Sequence, residues 1–121
     1  SNFGHGNKEI TERLHSQIDS NLHTMVYGEF ISPSTAEAAS LLASLLPQNL
    51  NTTYFTNSGA EAIEGALKLA KKATGRTRII ACNGGYHGNT AGALSVSSNE
   101  ERKSPFLPLL PDVSFIDYNL I

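Results

Sequence analysis

The 121-residue sequence predicts an α/β fold with a mostly parallel sheet and flanking helices. Residues 1–50 show helical patterns only, and we expect them to form a helical N-terminal segment. Between residues 51 and 121, short β-branched and aromatic runs alternate with helical runs, which implies parallel strands joined by right-handed crossovers. The three predicted strands are 53–56, 78–82 and 113–117. Because three parallel strands form a thin sheet, we interpret residues 51–121 as the first part of a larger α/β domain.

Composition and charge exclude several classes of protein. Hydrophobic residues make up 40% of the chain and charged residues 17%, a balance typical of a folded domain and not of a disordered chain. The net charge of −2 gives no support for a nucleic-acid partner or an anionic membrane surface. We see no apolar run long enough for a membrane span and no secretory signal at the start. The single cysteine, Cys82, excludes an internal disulfide and favours a reducing compartment, so we expect a cytoplasmic protein.

Two helices are predicted in the first fifty residues. The first spans residues 7–25, where Asn7 can act as the N-cap. Its apolar stripe recurs every four residues, at Ile10, Leu14, Ile18 and Leu22. The second spans residues 33–46, begins at Pro33 and stops at Pro47. Because this second helix has almost no polar face, we expect it to be buried on most sides.

A tight turn between the first predicted strand and the next helix is the first candidate site. Ser58 can cap this helix and Glu61 can complete a capping box. The free N–H groups of residues 59–61 converge there, and the helix dipole favours a bound phosphate. Since Ser-x-x-Glu boxes are common, a simple helix cap is the alternative that this turn alone leaves open.

The helix that follows this turn is predicted to run from Gly59 to Thr74 and to end at Gly75. Glu64 and Lys68 are spaced for an i,i+4 ion pair on its surface.

The loop after the second predicted strand is the second candidate site. Residues 83–90 (NGGYHGNT) follow the strand directly, and ligands of open parallel sheets gather outside these strand ends. Tyr86, which follows two glycines, can place its ring against a flat aromatic ligand. His87 can orient that ligand or cap the next helix, which we predict within residues 88–97. A surface turn with an incidental aromatic residue is the alternative.

Four motifs in this order closely resemble the class III aminotransferases, which are pyridoxal-phosphate enzymes of fold type I. The motifs are residues 3–10 (FGHGNKEI), 55–72 (FTNSGAEAIEGALKLAKK), 86–88 (YHG) and 105–111 (PFLPLLP). The family includes ornithine, acetylornithine, 4-aminobutyrate and putrescine aminotransferases. The resemblance covers essentially the whole chain and implies a partial fold type I large domain, with residues 51–121 in its cofactor-binding part.

The resemblance also implies a cofactor and the residues that bind it. The cofactor is pyridoxal 5'-phosphate, and Ser58, Gly59 and Ala60 match the turn that holds its phosphate. Gly59 and Ala60 are expected to contribute backbone N–H groups, and Ser58 its hydroxyl. Tyr86 matches the aromatic residue that stacks on the pyridine ring, and His87 the supporting residue beside it. We assign no metal ligand.

The implied reaction moves an amino group from an amine or amino acid to a 2-oxo acid, in a homodimer whose active site lies at the subunit interface. Residues 25–31 resemble segments near the substrate entrance. Tyr27 and Phe30 are therefore candidates for substrate or dimer contacts, with ordinary packing as the alternative.

Several parts of the family's catalytic machinery have no counterpart in these residues. They are the Schiff-base lysine, the acidic motif that pairs with the pyridine nitrogen, the substrate-carboxylate arginine and the C-terminal small domain. None of the five lysines has the family context: Lys8, Lys68, Lys71, Lys72 and Lys103. We therefore expect a fragment that is inactive alone and that self-associates through exposed apolar surface.

Two other functions stay open at this point. A related aminomutase uses the same fold and cofactor but returns the amine to the same molecule, so it forms product without a separate acceptor. A non-catalytic remnant with a phosphate-binding turn would form no borohydride-trappable lysine adduct at a defined site.

Overall fold

The computed structural model describes residues 2–21 and 30–120. The chain separates into two compact units, Ser1–Thr53 and Tyr54–Ile121. No helix in the described ranges is long and apolar enough to cross a membrane.

The first unit contains helices α1 (Lys8–Asn21) and α2 (Pro33–Leu45). The Asn7 cap is confirmed, since its Oδ1 accepts a hydrogen bond of 3.2 Å from the N–H of Ile10. Residues 22–25 of the predicted first helix, and Tyr27, fall outside the described residues.

The prediction that the second helix is buried on most sides is wrong. No residue of α2 is buried, and Leu41 and Leu45 are 63% and 74% exposed. Phe30, at the start of the second described range, is also exposed. The apolar composition of a helix shows that its surface favours cover, but it does not show which chain segment covers it.

The second unit contains a parallel sheet of two strands, β1 (Ile79–Cys82) and β2 (Val113–Ile116). The register pairs Ile79 with Val113 and Cys82 with Ile116. Three helices precede or connect these strands: α3 (Gly59–Thr74), α4 (Ala91–Val96) and α5 (Glu100–Lys103). A 3₁₀ turn, Ser104–Phe106, follows α5 directly. The parallel pairing of the two later strands and the short helix α4 confirm the α/β prediction for this part of the chain.

The strand predicted at residues 53–56 is wrong, because these residues carry no regular secondary structure. A β-branched and aromatic composition favours a strand only where a neighbouring strand offers free N–H and C=O groups. Within the described residues, the sheet consists of β1 and β2 alone.

The core of the second unit is centred on α4, which packs against α3 and β1. Its buried apolar side chains are Ala81, Ala93, Leu94 and Val96. One buried charge lies nearby: the ammonium of Lys103 is 3.3 Å from a Glu100 carboxylate oxygen and 4.5 Å from the centre of the Phe115 ring. The ion pair and the aromatic ring offset the cost of removing this ammonium from water.

Candidate functional site

The turn into α3 is fixed by a capping box. Ser58 Oγ accepts a 3.2 Å hydrogen bond from the N–H of Glu61. The Glu61 carboxylate accepts a 2.9 Å bond from the N–H of Asn57, one residue earlier than in the usual reciprocal box. Gly75 ends the helix in the left-handed conformation, at φ 69°. The predicted limits and cap of this helix are therefore confirmed.

Two N–H groups at the start of α3 remain available. Gly59 and Ala60 are the first two helical residues, so their N–H groups have no acceptor within the helix. Among the described residues, no side chain or carbonyl accepts from them either. These two donors lie at the positive end of a 16-residue helix, where an anion is favoured.

The loop after β1 is held by serines that sequence analysis missed. Ser98 Oγ accepts a 2.8 Å hydrogen bond from the N–H of Gly84, and Ser97 Oγ accepts a 2.9 Å bond from the N–H of His87. Tyr86 therefore lies in a segment anchored on both sides. The signal in the sequence is the serine-rich run 95–98, but local pattern does not show that its hydroxyls bind a loop ten or more residues earlier.

Gly88 brings this loop against the start of α3. A Cβ at residue 88 would lie 2.6 Å from the Cβ of Ala60 and 3.0 Å from its Cα, and the φ of +134° is one that other residues rarely adopt. The backbone of Gly88 therefore contacts the first turn of α3 directly. This close approach places Tyr86 and His87 beside the free N–H groups of Gly59 and Ala60.

These elements form an open cleft of about 630 Å³, within the size range of small-molecule sites. It is lined by Gly59, Ala60, Tyr86, His87, Gly88, Asn89 and Thr90. Four of the five predicted site residues thus share one cleft, whereas Ser58 acts as the cap just outside the lining. Their roles toward a ligand stay a prediction.

The ring of Tyr86 is accessible and carries a cationic neighbour. The side chain is 58% exposed, and the guanidinium carbon of Arg102 lies 5.4 Å from its ring centre, within cation–π range. The imidazole of His87 folds back over Gly85, since a Cβ there would lie 3.0 Å from His87 Nε2. Arg102 could not be assigned to this site from the sequence, because it lies 16 residues after Tyr86 and no local pattern joins the two.

Glu64 connects α3 to α4 behind the cleft. Its Oε1 accepts hydrogen bonds from the N–H groups of Gly92 (2.7 Å) and Ala93 (3.3 Å). The hydroxyl of Thr90 donates to the same carboxylate and is the largest cause of the lowered pKa of Glu64; burial opposes it, and the two backbone bonds and the charge of Lys68 add to it.

The predicted surface ion pair between Glu64 and Lys68 is therefore not what the structure shows. The carboxylate is directed at the first turn of α4, and the ion pair within the described residues is that of Lys103 with Glu100. Tertiary hydrogen bonds to backbone N–H groups outcompete an exposed i,i+4 pair, which stabilises a helix by only about 0.3–0.5 kcal/mol.

The whole chain, residues 1–121, matches the family model described as Aminotransferase class-III. The chain belongs to the class-III aminotransferases.

Individual relatives agree with the assignment of this chain to the class-III family. An acetylornithine aminotransferase from Methanopyrus kandleri is 42% identical over 118 residues, which are 96% of this chain and 29% of that protein. An (S)-enantioselective omega-transaminase from Thermomicrobium roseum matches with a TM-score of 0.88 and 30% identity, over 96% of this chain and 27% of that one. A taurine:2-oxoglutarate aminotransferase from Bifidobacterium kashiwanohense, solved in complex with PLP and glutamate, gives a TM-score of 0.80 and 28% identity, over 94% and 26% of the two chains.

These matches confirm the predicted fold class, a partial fold type I α/β domain. The class-III chain spans less than a third of the length of each of these proteins.

Proposed function

We propose that the class-III chain is part of an enzyme that transfers an amino group from an amine or amino acid to a 2-oxo acid, with pyridoxal 5'-phosphate as cofactor. The observation that carries this proposal is the single cleft that joins two free backbone N–H groups, of Gly59 and Ala60, to the exposed ring of Tyr86. A ligand in which an aromatic ring carries a phosphate ester binds best where N–H donors and an accessible aromatic side chain lie side by side.

The residues present fit this cofactor. The N–H groups of Gly59 and Ala60 would bind the phosphate, supported by the dipole of α3. The Ser58 hydroxyl, 3.4 Å from the Glu61 carboxylate, is near enough to add a third donor by rotating. Tyr86, whose ring centre lies 5.4 Å from the guanidinium carbon of Arg102, would cover the pyridine ring. When bound, the cofactor supplies a carbonyl that takes up the amine and a ring that withdraws electrons from the reacting carbon.

The proton-transferring lysine of this reaction is proposed to come from residues outside the sequence. Of the five described lysines, none lines the cleft. Lys8 begins α1, the lysines at 68, 71 and 72 lie along α3, and Lys103 is buried against Phe115. We therefore infer that the 121-residue chain binds cofactor but does not transaminate by itself. We further infer a homodimeric parent protein, as the family resemblance implies, and a cytoplasmic one, which the lone cysteine favours.

The phosphate site is tested by removing one N–H group without changing the fold. Gly59→Pro deletes the donor, and proline is tolerated at the first helical position after an extended residue such as Ser58. Gly59→Ala is the matched control, because it keeps the N–H and its Cβ meets no described atom within 4 Å. We expect Gly59→Pro to bind pyridoxal 5'-phosphate about tenfold more weakly than Gly59→Ala, measured by ³¹P NMR titration. Equal affinities of the two variants would contradict the proposed phosphate site.

The origin of the lysine is tested on the full-length protein. Borohydride reduction in the presence of cofactor, followed by peptide mapping, should place the adduct on a lysine outside residues 1–121. An adduct on any of the five lysines within residues 1–121 (Lys8, Lys68, Lys71, Lys72 or Lys103) would contradict the inference. Product formed without any amino acceptor would identify an aminomutase instead.

A further inference from the structure

Glu64 is the described carboxylate that ties together two walls of the cleft. It starts on the second turn of α3, the helix whose first N–H groups open onto the cleft. Its carboxylate reaches Thr90, a cleft-lining residue, and the N–H groups of Gly92 and Ala93 at the start of α4. One side chain thus bonds to three groups at the start of a different element: the Thr90 hydroxyl and the N–H groups of Gly92 and Ala93.

Gly92 makes this arrangement possible. A Cβ at residue 92 would lie 2.7 Å from Glu64 Cδ and 2.8 Å from Oε1, and closer still to Oε2. Any other residue at this position would displace the carboxylate from the start of α4. The absence of a side chain at residue 92 and the carboxylate of Glu64 are therefore complementary.

The position of the Tyr86 loop depends on the contact between the Glu64 carboxylate and the start of α4. Residues 88–90 connect Tyr86 to α4, and Gly88 presses against Ala60 of α3. Because Glu64 fixes the end of this segment relative to α3, it also sets the distance between the free N–H groups of α3 and the ring of Tyr86, which is the aromatic wall of the cleft.

We propose that Glu64 is a positioning residue for the cofactor: it holds the aromatic wall of the cleft at the separation from the phosphate-binding turn that pyridoxal 5'-phosphate requires. This inference rests on the proposed function. It predicts a difference between two kinds of ligand. The affinity of a ligand that contacts both the turn and the ring of Tyr86 depends on Glu64, whereas the affinity of a ligand that contacts only the turn does not.

The test compares pyridoxal 5'-phosphate with inorganic phosphate on the same chain. Glu64→Ala removes the carboxylate, Gly92→Ala displaces it, and Glu64→Gln keeps an acceptor oxygen and similar volume. Glu37→Gln, an exposed carboxylate change on α2, is the control. Circular dichroism establishes whether each variant is folded. If Glu64→Ala does not fold, Glu64→Gln replaces it as the test variant.

We expect Glu64→Ala and Gly92→Ala to weaken pyridoxal 5'-phosphate binding about tenfold while inorganic phosphate affinity stays within about twofold of wild type. Glu64→Gln should give an intermediate loss, since its carbonyl oxygen still accepts from Gly92. Equal losses for both ligands, or a loss for neither, would overturn the positioning role.

A second measurement separates this inference from the proposed function. The Ala60 methyl and the α-protons of Gly88 are in direct contact, and their nuclear Overhauser signal should weaken in Glu64→Ala and Gly92→Ala but not in Glu37→Gln. If the wild-type chain prefers inorganic phosphate to pyridoxal 5'-phosphate, the proposed function fails. The Ala60–Gly88 contact still decides the role of Glu64, and an unchanged contact in the variants would refute it.

Discussion

Gly88 and Gly92 are two residues at which one added methyl group would disrupt the candidate site. At Gly88 the methyl would overlap Ala60, and at Gly92 it would overlap the carboxylate of Glu64. Both positions require glycine because neighbouring atoms fill the space that a Cβ would take. Gly88 also requires it because its φ is positive. A local reading of the sequence finds the glycines but not the partners, which lie 28 residues earlier in each case.

Glu64 predicts a pH dependence of stability at the residue scale. The Thr90 hydroxyl, followed by the N–H groups of Gly92 and Ala93, lowers the pKa of this carboxyl in the folded chain. A group with a depressed folded pKa stabilises above its unfolded pKa, and this stabilisation is lost as the pH falls through the folded pKa. We expect the stability advantage of wild type over Glu64→Gln to be constant near neutral pH and to decline below about pH 4.3, the usual glutamate pKa.

Urea unfolding of both proteins at a series of pH values measures this difference, in which other titrating groups largely cancel. An advantage that grows on acidification would contradict the hydrogen bonding of Glu64.

At the scale of elements, the sequence predicts what is local and fails where a partner is distant. The limits of α3 were predictable because Ser58, Glu61 and Gly75 act within one turn of the helix ends. The strand at 53–56 was not, since pairing needs a neighbour that composition does not specify. The two loops were predicted to converge from parallel strand order, but residues 53–56 form no strand, and it is the close approach of Gly88 to Ala60 that brings the loops together. The hydroxyls of Ser97 and Ser98 that hold the second loop could not be predicted from local pattern.

Ser97 gives a prediction about how α4 supports the loop. Its buried hydroxyl donates to the carbonyl of Ala93 and accepts from the N–H of His87. Ser97→Ala leaves the His87 N–H without its acceptor, so we expect a stability loss of about 1–3 kcal/mol and faster hydrogen exchange at His87. Ser44→Ala is the control, because Ser44 donates to the carbonyl of Leu41 in the same way but is exposed and holds no loop. Similar losses in both variants, with His87 exchange unchanged, would refute the supporting role.

At the scale of the whole molecule, the described chain leaves large apolar side chains accessible in both units. In α2, Leu41 and Leu45 lie one turn apart on the same face. In the second unit, Tyr54 and Leu69 border an open groove along α3. Exposed apolar surface of this kind drives association in water, while the formal charge of −2 provides little repulsion between copies.

We therefore predict that the 121-residue chain self-associates as its concentration rises, partly through α2. The double variant Leu41→Lys/Leu45→Lys should lower the apparent mass in sedimentation or light scattering, because it places two charges on the apolar face. The matched control, Ser40→Lys/Ser44→Lys, adds the same two charges with the same spacing on a neighbouring exposed face of α2, and it should leave most of the association intact. A wild-type chain that stays monomeric at high concentration would contradict the prediction, and an equal effect of both double variants would show that net charge, not the leucine face, governs association.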